Sequence, residues 1–258
     1  MKASFDIAAK NYDQSFTYTA IGKLQRNLVY NTLSKHLKDI QNILEINCGT
    51  GEDAFWLSQQ NFKVLATDIS EEMVAIAKAK NHSDHLTFEI LDINAIAKKK
   101  FETPFDFLFS NFGGLNCLTK IELEKFFINA NEVLSKKGKL AVVIMPKNTL
   151  WERLYFIFKG KFQTAYRRTK KVAVANVDGI NVPTYYYNPK DIVNLTYTNF
   201  EFIASKPVGF FVPPSYLEPF FKNKKGLLRF LNYLENKIKN WSFLSKYADH
   251  YILILQKR

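Results

Sequence analysis

The chain of 258 residues is 47% apolar, which suffices for one large domain or a core with a cap. It has no run of about 18 apolar residues, so no membrane span is expected. Its two cysteines, Cys48 and Cys117, supply neither a disulfide framework nor a metal quartet. Residues 1–6 lack the long apolar stretch of a signal peptide, which makes the cytoplasm the expected compartment.

Residues 1–34 precede the first expected strand and carry aromatics at Phe5, Tyr12, Phe16 and Tyr18. Strand and helix patterns alternate from residue 40 onward, which argues a mostly parallel sheet covered on both faces. Strands are expected over 42–46, 63–67 (closed by Asp68), 86–91 (ending at Asp92), 105–110 and 139–145, the last after a Lys137-Gly138 turn. The intervening helices cover 53–60, 70–80 with Ser70 as cap and Glu71 and Glu72 in the first turn, and 121–134. A helix over 191–198 and strands over 200–207 and 251–256 complete the rhythm. Two insertions break it. Residues 147–190 contain an expected hairpin about Asp178-Gly179, and residues 209–246 open with Phe210-Phe211-Val212-Pro213-Pro214-Ser215-Tyr216.

The most informative stretch is Asn42-Ile43-Leu44-Glu45-Ile46-Asn47-Cys48-Gly49-Thr50-Gly51-Glu52-Asp53-Ala54. A strand ending in a glycine turn that opens a helix brings bare backbone against a ligand. Gly49-x-Gly51-x-x-Ala54, with Asp68 at the distance of a ribose-binding acid, formally satisfies a dinucleotide fingerprint, as in an NAD(P)-dependent oxidoreductase. A dinucleotide would place its pyrophosphate among Glu45, Glu52, Asp53 and Asp68, a repulsion measured in kcal/mol. S-adenosylmethionine has no phosphate, and its sulfonium and ammonium suit an acidic rim. Glu52 and Asp53 also complement the helix dipole; Glu45, inside an apolar strand, has no such role. The residues favour the methyl donor.

Ligands of open α/β sheets bind outside the carboxyl ends of the strands. The segments 147–190 and 209–246 then hang over that rim, where their aromatics form either a lid or a subsidiary core. An antiparallel last strand would start at the same rim.

Four signposts, Glu45-Ile-Asn-Cys-Gly-Thr-Gly, Asp68, Leu91-Asp92-Ile93 and Phe105-Asp106-Phe107-Leu108-Phe109-Ser110-Asn111, stand in the order found in class I S-adenosylmethionine-dependent methyltransferases. The chain resembles that family, particularly its small-molecule branch, well over residues 40–146 and by strand order elsewhere. The resemblance implies an α/β fold with a Rossmann-like, seven-stranded, mostly parallel sheet, an antiparallel last strand and helices on both faces. The core would span 35–146 and 191–258, with a lid from 1–34, 147–190 and 209–246. It implies S-adenosylmethionine as cofactor and no metal. Glu45, Asn47, Gly49 and Gly51 would form the turn against the methionine portion. Asp68 would accept the ribose hydroxyls, Ile69 would lie against adenine, and Asp92 and Ile93 would hold the adenine edge. Ser110 or Asn111 would offer a carbonyl to the ammonium, and Tyr12 would close over the carboxylate end. Asn47 stands where glycine is common, and asparagine tolerates left-handed backbone.

Methyl transfer is an in-line displacement in which orientation supplies much of the rate, so a general base is an addition for hydroxyl or ammonium acceptors. Of the four histidines, His36, His82 and His85 precede strands at the far rim, and only His250 precedes a strand at the ligand rim. His250 is the candidate base. Asn116, in Phe112-Gly113-Gly114-Leu115-Asn116-Cys117, is the candidate acceptor-binding residue, with a structural turn as the plainer reading of that segment. Cys117 follows no proline and lacks the context of a cytosine-methylating nucleophile.

A formal charge of +12 raises the question of an anionic partner. Most of the excess is scattered lysine. Clusters stand out at 159–171 and 222–225, without an RNA-binding signature. A small-molecule acceptor, anionic or aromatic, is expected, and nucleic acid is disfavoured, with an RNA methyltransferase kept as an alternative. Peripheral membrane contact stays open because aromatics meet cations in Trp151-Glu-Arg-Leu-Tyr-Phe-Ile-Phe-Lys.

Overall fold

A computed structural model describes residues 5–80, 82–177 and 179–258. Its strands are β1 (Asn42–Ile46), β2 (Lys63–Asp68), β3 (Leu86–Ile90), β4 (Phe105–Ser110), β5 (Leu134–Ile144), β6 (Ala173–Val177), β7 (Ile180–Thr184), β8 (Phe200–Val208) and β9 (His250–Lys257). Seven of them form one sheet in the order β3-β2-β1-β4-β5-β9-β8. The pairs β1–β2, β2–β3, β1–β4 and β4–β5 are parallel, while β9 runs antiparallel to both β5 and β8. The antiparallel last strand expected from sequence is therefore present, inserted between β5 and β8.

The middles of β4 (Phe107 to Phe109) and β9 (Tyr251 to Leu255) are unbroken apolar runs because helices cover both faces. On one face Ile43, Phe107, Phe109, Val143 and Ile252 pack with Leu57 and Val74 and with the helix Ala20–Leu33. On the other, Leu44, Leu108, Val142 and Leu253 pack with the helices Lys120–Val133 and Pro189–Thr196. Thr119 and Glu122 cap the former in a reciprocal box.

Two differences from the expected elements stand out. Strand β5 begins at Leu134, and Lys137, at φ +62°, makes a bulge inside it opposite the register shift between Phe105 and Phe107, so the expected turn does not end the strand. The helices Ala20–Leu33, Leu150–Phe158 and Lys225–Ile238 occupy stretches expected only as lid. The predicted hairpin exists as β6–β7, with Gly179 at φ +88°; Asp178 lies outside the described residues, as do residues 1–4. No helix among the described residues is long and apolar enough to cross a membrane.

The helix Lys225–Ile238 belongs to the scaffold. Leu228 enters the core, and Glu235, fully buried, accepts hydrogen bonds from the backbone N–H groups of Gly209, Phe210, Phe211 and Val212 at 2.6–3.2 Å. One carboxylate thus folds the loop after β8 and fixes where Pro214 to Tyr216 stand. An amide offers a single oxygen to four donors. Glu235→Gln is therefore expected to cost about 3 kcal/mol, read as a drop of roughly 10 °C in a thermal melt.

Candidate active site

Strand order reverses at β1, between β2 and β4, and the turn leaving β1 stands at that switch point. Asn47, Gly49 and Gly51 all have positive φ, at +55°, +52° and +80°. The Asn47 side chain donates to Ser110 Oγ at 3.2 Å and fills the place a Cβ on Gly114 would need. Asparagine at a glycine position is thus accommodated by a glycine on the facing loop.

Beyond this turn lies a cleft enclosing about 1000 Å³ of space, open to solvent on one side. Of the sequence candidates, Tyr12, Asn47, Gly49, Asp68, Ile69, Asp92, Ile93 and Asn111 line it. Asp68 accepts from Gly49 N at 2.9 Å with one oxygen and from Ser70 N at 2.9 Å with the other, so it clamps the two turns around the cleft. Burial raises its carboxyl pKa, with those N–H groups pulling the other way. Asp92 Oδ1 accepts from Asn94 N at 2.9 Å. Ile69 is 49% exposed, an apolar side chain presented to the cleft.

Glu45, Gly51 and Ser110 do not line the cleft. Gly51 is the N-cap of the helix Glu52–Ser58, and Ser110 is buried under Asn47. Glu45 shares the face of Ile43 and is 1% exposed, both carboxylate oxygens lacking a partner. Burial, then the nearby Asp53, raises its pKa well above the usual range against the pull of Arg26.

Sequence reasoning missed Arg26. It forms a buried ion pair with Asp53, whose oxygens also accept from Tyr30 Oη at 2.7 Å and Asn111 Nδ2 at 3.0 Å. Its guanidinium lies 5.3 Å from the centroid of Phe112 and 5.8 Å from that of Phe16. Arg26 lines the cleft, and its Nε is buried without a partner. The signal was legible: Ile21, Leu28 and Val29 define the buried stripe of the helix Ala20–Leu33, and Gln25 and Arg26 fall on it. Polar residues on a core-facing stripe call for a function.

The N-terminal segment is strapped over the glycine turn. Asp6 accepts from Ser70 Oγ at 2.5 Å, and Asp13 accepts from Thr50 Oγ1 and Lys80 Nζ, both at 2.6 Å. Burial opposes the Asp13 charge, but Lys80 and Thr50 outweigh it and hold its pKa below the ordinary value. Burial pushes Tyr12 up to about 12, so its hydroxyl keeps its proton and serves as a donor.

A second cleft adjoins the first, and Phe5, Tyr12, Phe112 and Cys117 line both. All three segments outside the core contribute to it, including Phe16, Tyr186, Pro214 and Tyr216. His250 lines it, set at the rim by pairing with Val208 while the adjacent Tyr251 pairs with Ile144. Its Nδ1 stands 3.2 Å from Asp249 Oδ2. Asp249 is held by Arg168 at 3.0 Å and by Gln25 Nε2 at 3.2 Å. Burial works against its charge, yet His250 and Arg168 outweigh that and depress its pKa far below the carboxylate range. A depressed pKa stabilises the fold above the unfolded-state value and loses that contribution on acidification. Stability should fall as pH drops below about 4, and Asp249→Asn should flatten that slope in melts taken across the range.

Asn116 does not reach the acceptor cleft. It is buried, accepting from Met145 N at 2.9 Å and donating to the carbonyls of Tyr185 at 2.6 Å and Met145 at 3.2 Å. It stitches the loop after β4 to β5 and to the chain leaving β7, while Phe112 and Cys117 of the same segment line both clefts. Burial pushes the Cys117 thiol up to about 11, which keeps it protonated. The basic run at 159–171 is partly internal: buried Glu152 accepts from Arg167 Nε at 2.5 Å and Arg168 Nε at 2.9 Å. Among the described residues no cluster could hold a metal ion.

Residues 43–138 match the family described as methyltransferase domain. A malonyl-[acyl-carrier protein] O-methyltransferase of Bacillus cytotoxicus is 32% identical over 133 residues, 49% of this chain and 44% of that protein. The magnesium protoporphyrin IX methyltransferase of Synechocystis, solved with bound S-adenosylhomocysteine, superposes with a TM-score of 0.58 at 13% identity, over 96% of this chain and 87% of that one. The chain carries a methyltransferase domain and has the fold of the class I S-adenosylmethionine-dependent methyltransferases. An uncharacterized protein of Methanocaldococcus jannaschii is 26% identical over 253 residues, 93% of this methyltransferase and 92% of that protein.

The site fits the cofactor on its own terms. An orphaned guanidinium Nε offers a partner to a carboxylate, an exposed isoleucine offers a flat apolar face, and two acids end neighbouring strands. The electrostatic case against a diphosphate is narrower than the sequence implied. Asp53 is paired with Arg26, Glu52 lies 3.7 Å from Lys80, and Glu45, where burial disfavours the charge, does not line the cleft, which leaves Asp68 and Asp92 as the lining acids without an ion pair among the described residues.

Proposed function

We propose that the methyltransferase binds S-adenosylmethionine in the first cleft and methylates a small molecule held in the second, with His250 as general base. The observation that supports this most is the adjacency of the clefts across Tyr12, Phe112 and Cys117, one polar at its strand ends and the other walled by aromatics. When bound, the cofactor supplies an electrophilic methyl on a positively charged sulfur. Asp68 would accept from the ribose hydroxyls, Ile69 would lie against adenine, and Asp92 and Ile93 would hold its edge. Asn111 would offer its carbonyl to the ammonium, and Arg26 and Tyr12 would hold the carboxylate.

At the acceptor, Asp249 Oδ2 stands 3.2 Å from His250 Nδ1 as a countercharge, and Nε2 would take the proton of a hydroxyl or ammonium. The aromatic walls exclude water and align the acceptor, the source of much of the rate in an in-line displacement. Calorimetry tests the first step: S-adenosylmethionine should bind and NADH should not. Asp68→Ala removes a charged acceptor and loosens the clamp on Gly49 and Ser70, so affinity for the donor should fall at least about thirtyfold. NADH binding in place of the donor would return the chain to the oxidoreductase reading.

A further inference from the structure

We propose that the face bearing Leu150, Leu154, Phe158 and Phe162 seats on an anionic lipid surface and delivers a lipid-dissolved acceptor to the second cleft. The docking stands by itself; the delivery rests on the methyltransferase reading. The helix Leu150–Phe158 is fastened to the site by one side only. There Glu152 is buried among Arg167 and Arg168, Trp151 sets its edge against Phe221 at 6.3 Å, and Tyr155 meets Tyr216, a residue of the cleft wall, at 5.6 Å. On the other side the i, i+4, i+8 positions Leu150, Leu154 and Phe158 are 36%, 50% and 86% exposed, and Phe162 in the next turn is 62% exposed. Soluble monomers seldom leave such a stripe bare without a partner.

The charges around the stripe say what that partner is. Residues 147–171 hold eight cations and one acid, Glu152, and that acid is internal. Lys159, Lys161, Lys170 and Lys171 are exposed and form no ion pair among the described residues. Nearby, Phe221 carries Phe220 beside it, exposed, with Lys224 Nζ 3.2 Å from its ring centroid. Aromatic and aliphatic side chains ringed by unpaired lysines complement a surface apolar below and anionic above. A second copy of the chain would bring the same lysines together across a two-fold contact. An RNA strand would find aromatic faces for stacking but nothing to do with Leu150 and Leu154. Seated in this way, the wall of the acceptor cleft at Tyr216 stands one helix away from the lipid.

Co-sedimentation with vesicles tests the proposal, using phosphatidylcholine alone or three parts phosphatidylcholine to one part phosphatidylglycerol. The protein should partition to the anionic vesicles at low salt, much less to the neutral ones, and be released by high salt. The double variant Phe158→Ser, Phe162→Ser should lower the partition coefficient about tenfold or more. Its donor-binding heat, measured by calorimetry, should match that of the parent, which shows the variant folded whatever the vesicles report. Three results would overturn the proposal: no anionic-vesicle binding by the parent, equal partitioning of parent and variant, or an RNA complex or self-association that the two serines abolish.

Discussion

Replacing His250 with alanine is expected to lower kcat by about a hundredfold or more while leaving the affinity for S-adenosylmethionine near that of the parent. The histidine stands on the acceptor side, 5.4 Å centroid to centroid from Phe112, and takes no part in the wall of the donor cleft. Its neighbour decides the size of the effect. A carboxylate anchored by Arg168 and Gln25 stands 3.2 Å from Nδ1 and would stabilise the cation formed when Nε2 takes a proton. Asp249→Asn should therefore lower kcat by a smaller factor, because the ring is retained but the countercharge is lost. An acceptor found by screening metabolites with labelled donor provides the assay. The acid limb of the pH–rate profile, where protonation of the base suppresses turnover, should vanish in His250→Ala. A parent-like rate and profile in that variant would leave orientation as the whole source of catalysis.

The sheet was legible because its strands carry their own evidence. Short apolar runs lead up to Asp68, Asp92 and Ser110, polar residues that mark where each run stops. The antiparallel last strand is what the family resemblance implied, and with it the rim holding His250 could be named. Asn116 illustrates the limit. Its type suits acceptor binding, but whether an amide faces a ligand or three backbone groups depends on Met145 and Tyr185, far away in the chain. The same holds for the acids around the glycine turn. Their spacing suggested a uniformly anionic rim, whereas the fold brings Arg26 to Asp53 and Lys80 to Glu52 and buries Glu45 away from the cleft. Of the three missed helices, Ala20–Leu33 carries a readable cap in Thr19, which accepts from Gly22 N, whereas Lys225–Ile238 follows Lys224, which makes no side-chain cap. What defines that helix is Glu235 meeting the loop at 209–212, a contact no local pattern announces.

Arg26→Met should be the most damaging single change to stability, for a reason separable from its effect on binding. The guanidinium is 8% exposed and its partner Asp53 7% exposed, so removing the cation strands a buried carboxylate that Tyr30 and Asn111 only partly satisfy. Breaking one side of a buried pair costs about 3–5 kcal/mol, which for a chain of this size lowers the melting temperature by roughly 10 °C. The double variant Arg26→Met, Asp53→Asn removes both charges and keeps an oxygen for the Tyr30 hydroxyl. It should recover at least half of the lost stability. Donor affinity should not recover, because the cation facing the cleft is still missing; a loss of about tenfold or more is expected for a charge-assisted contact. Lysine at 26 restores charge but not the fork that meets Asp53 and the cleft together, so it should fall between the parent and the methionine variant in both measurements. Parallel melts and titrations of the four proteins separate the two roles. Affinity returning in step with stability in the double variant would show that Arg26 serves the fold alone.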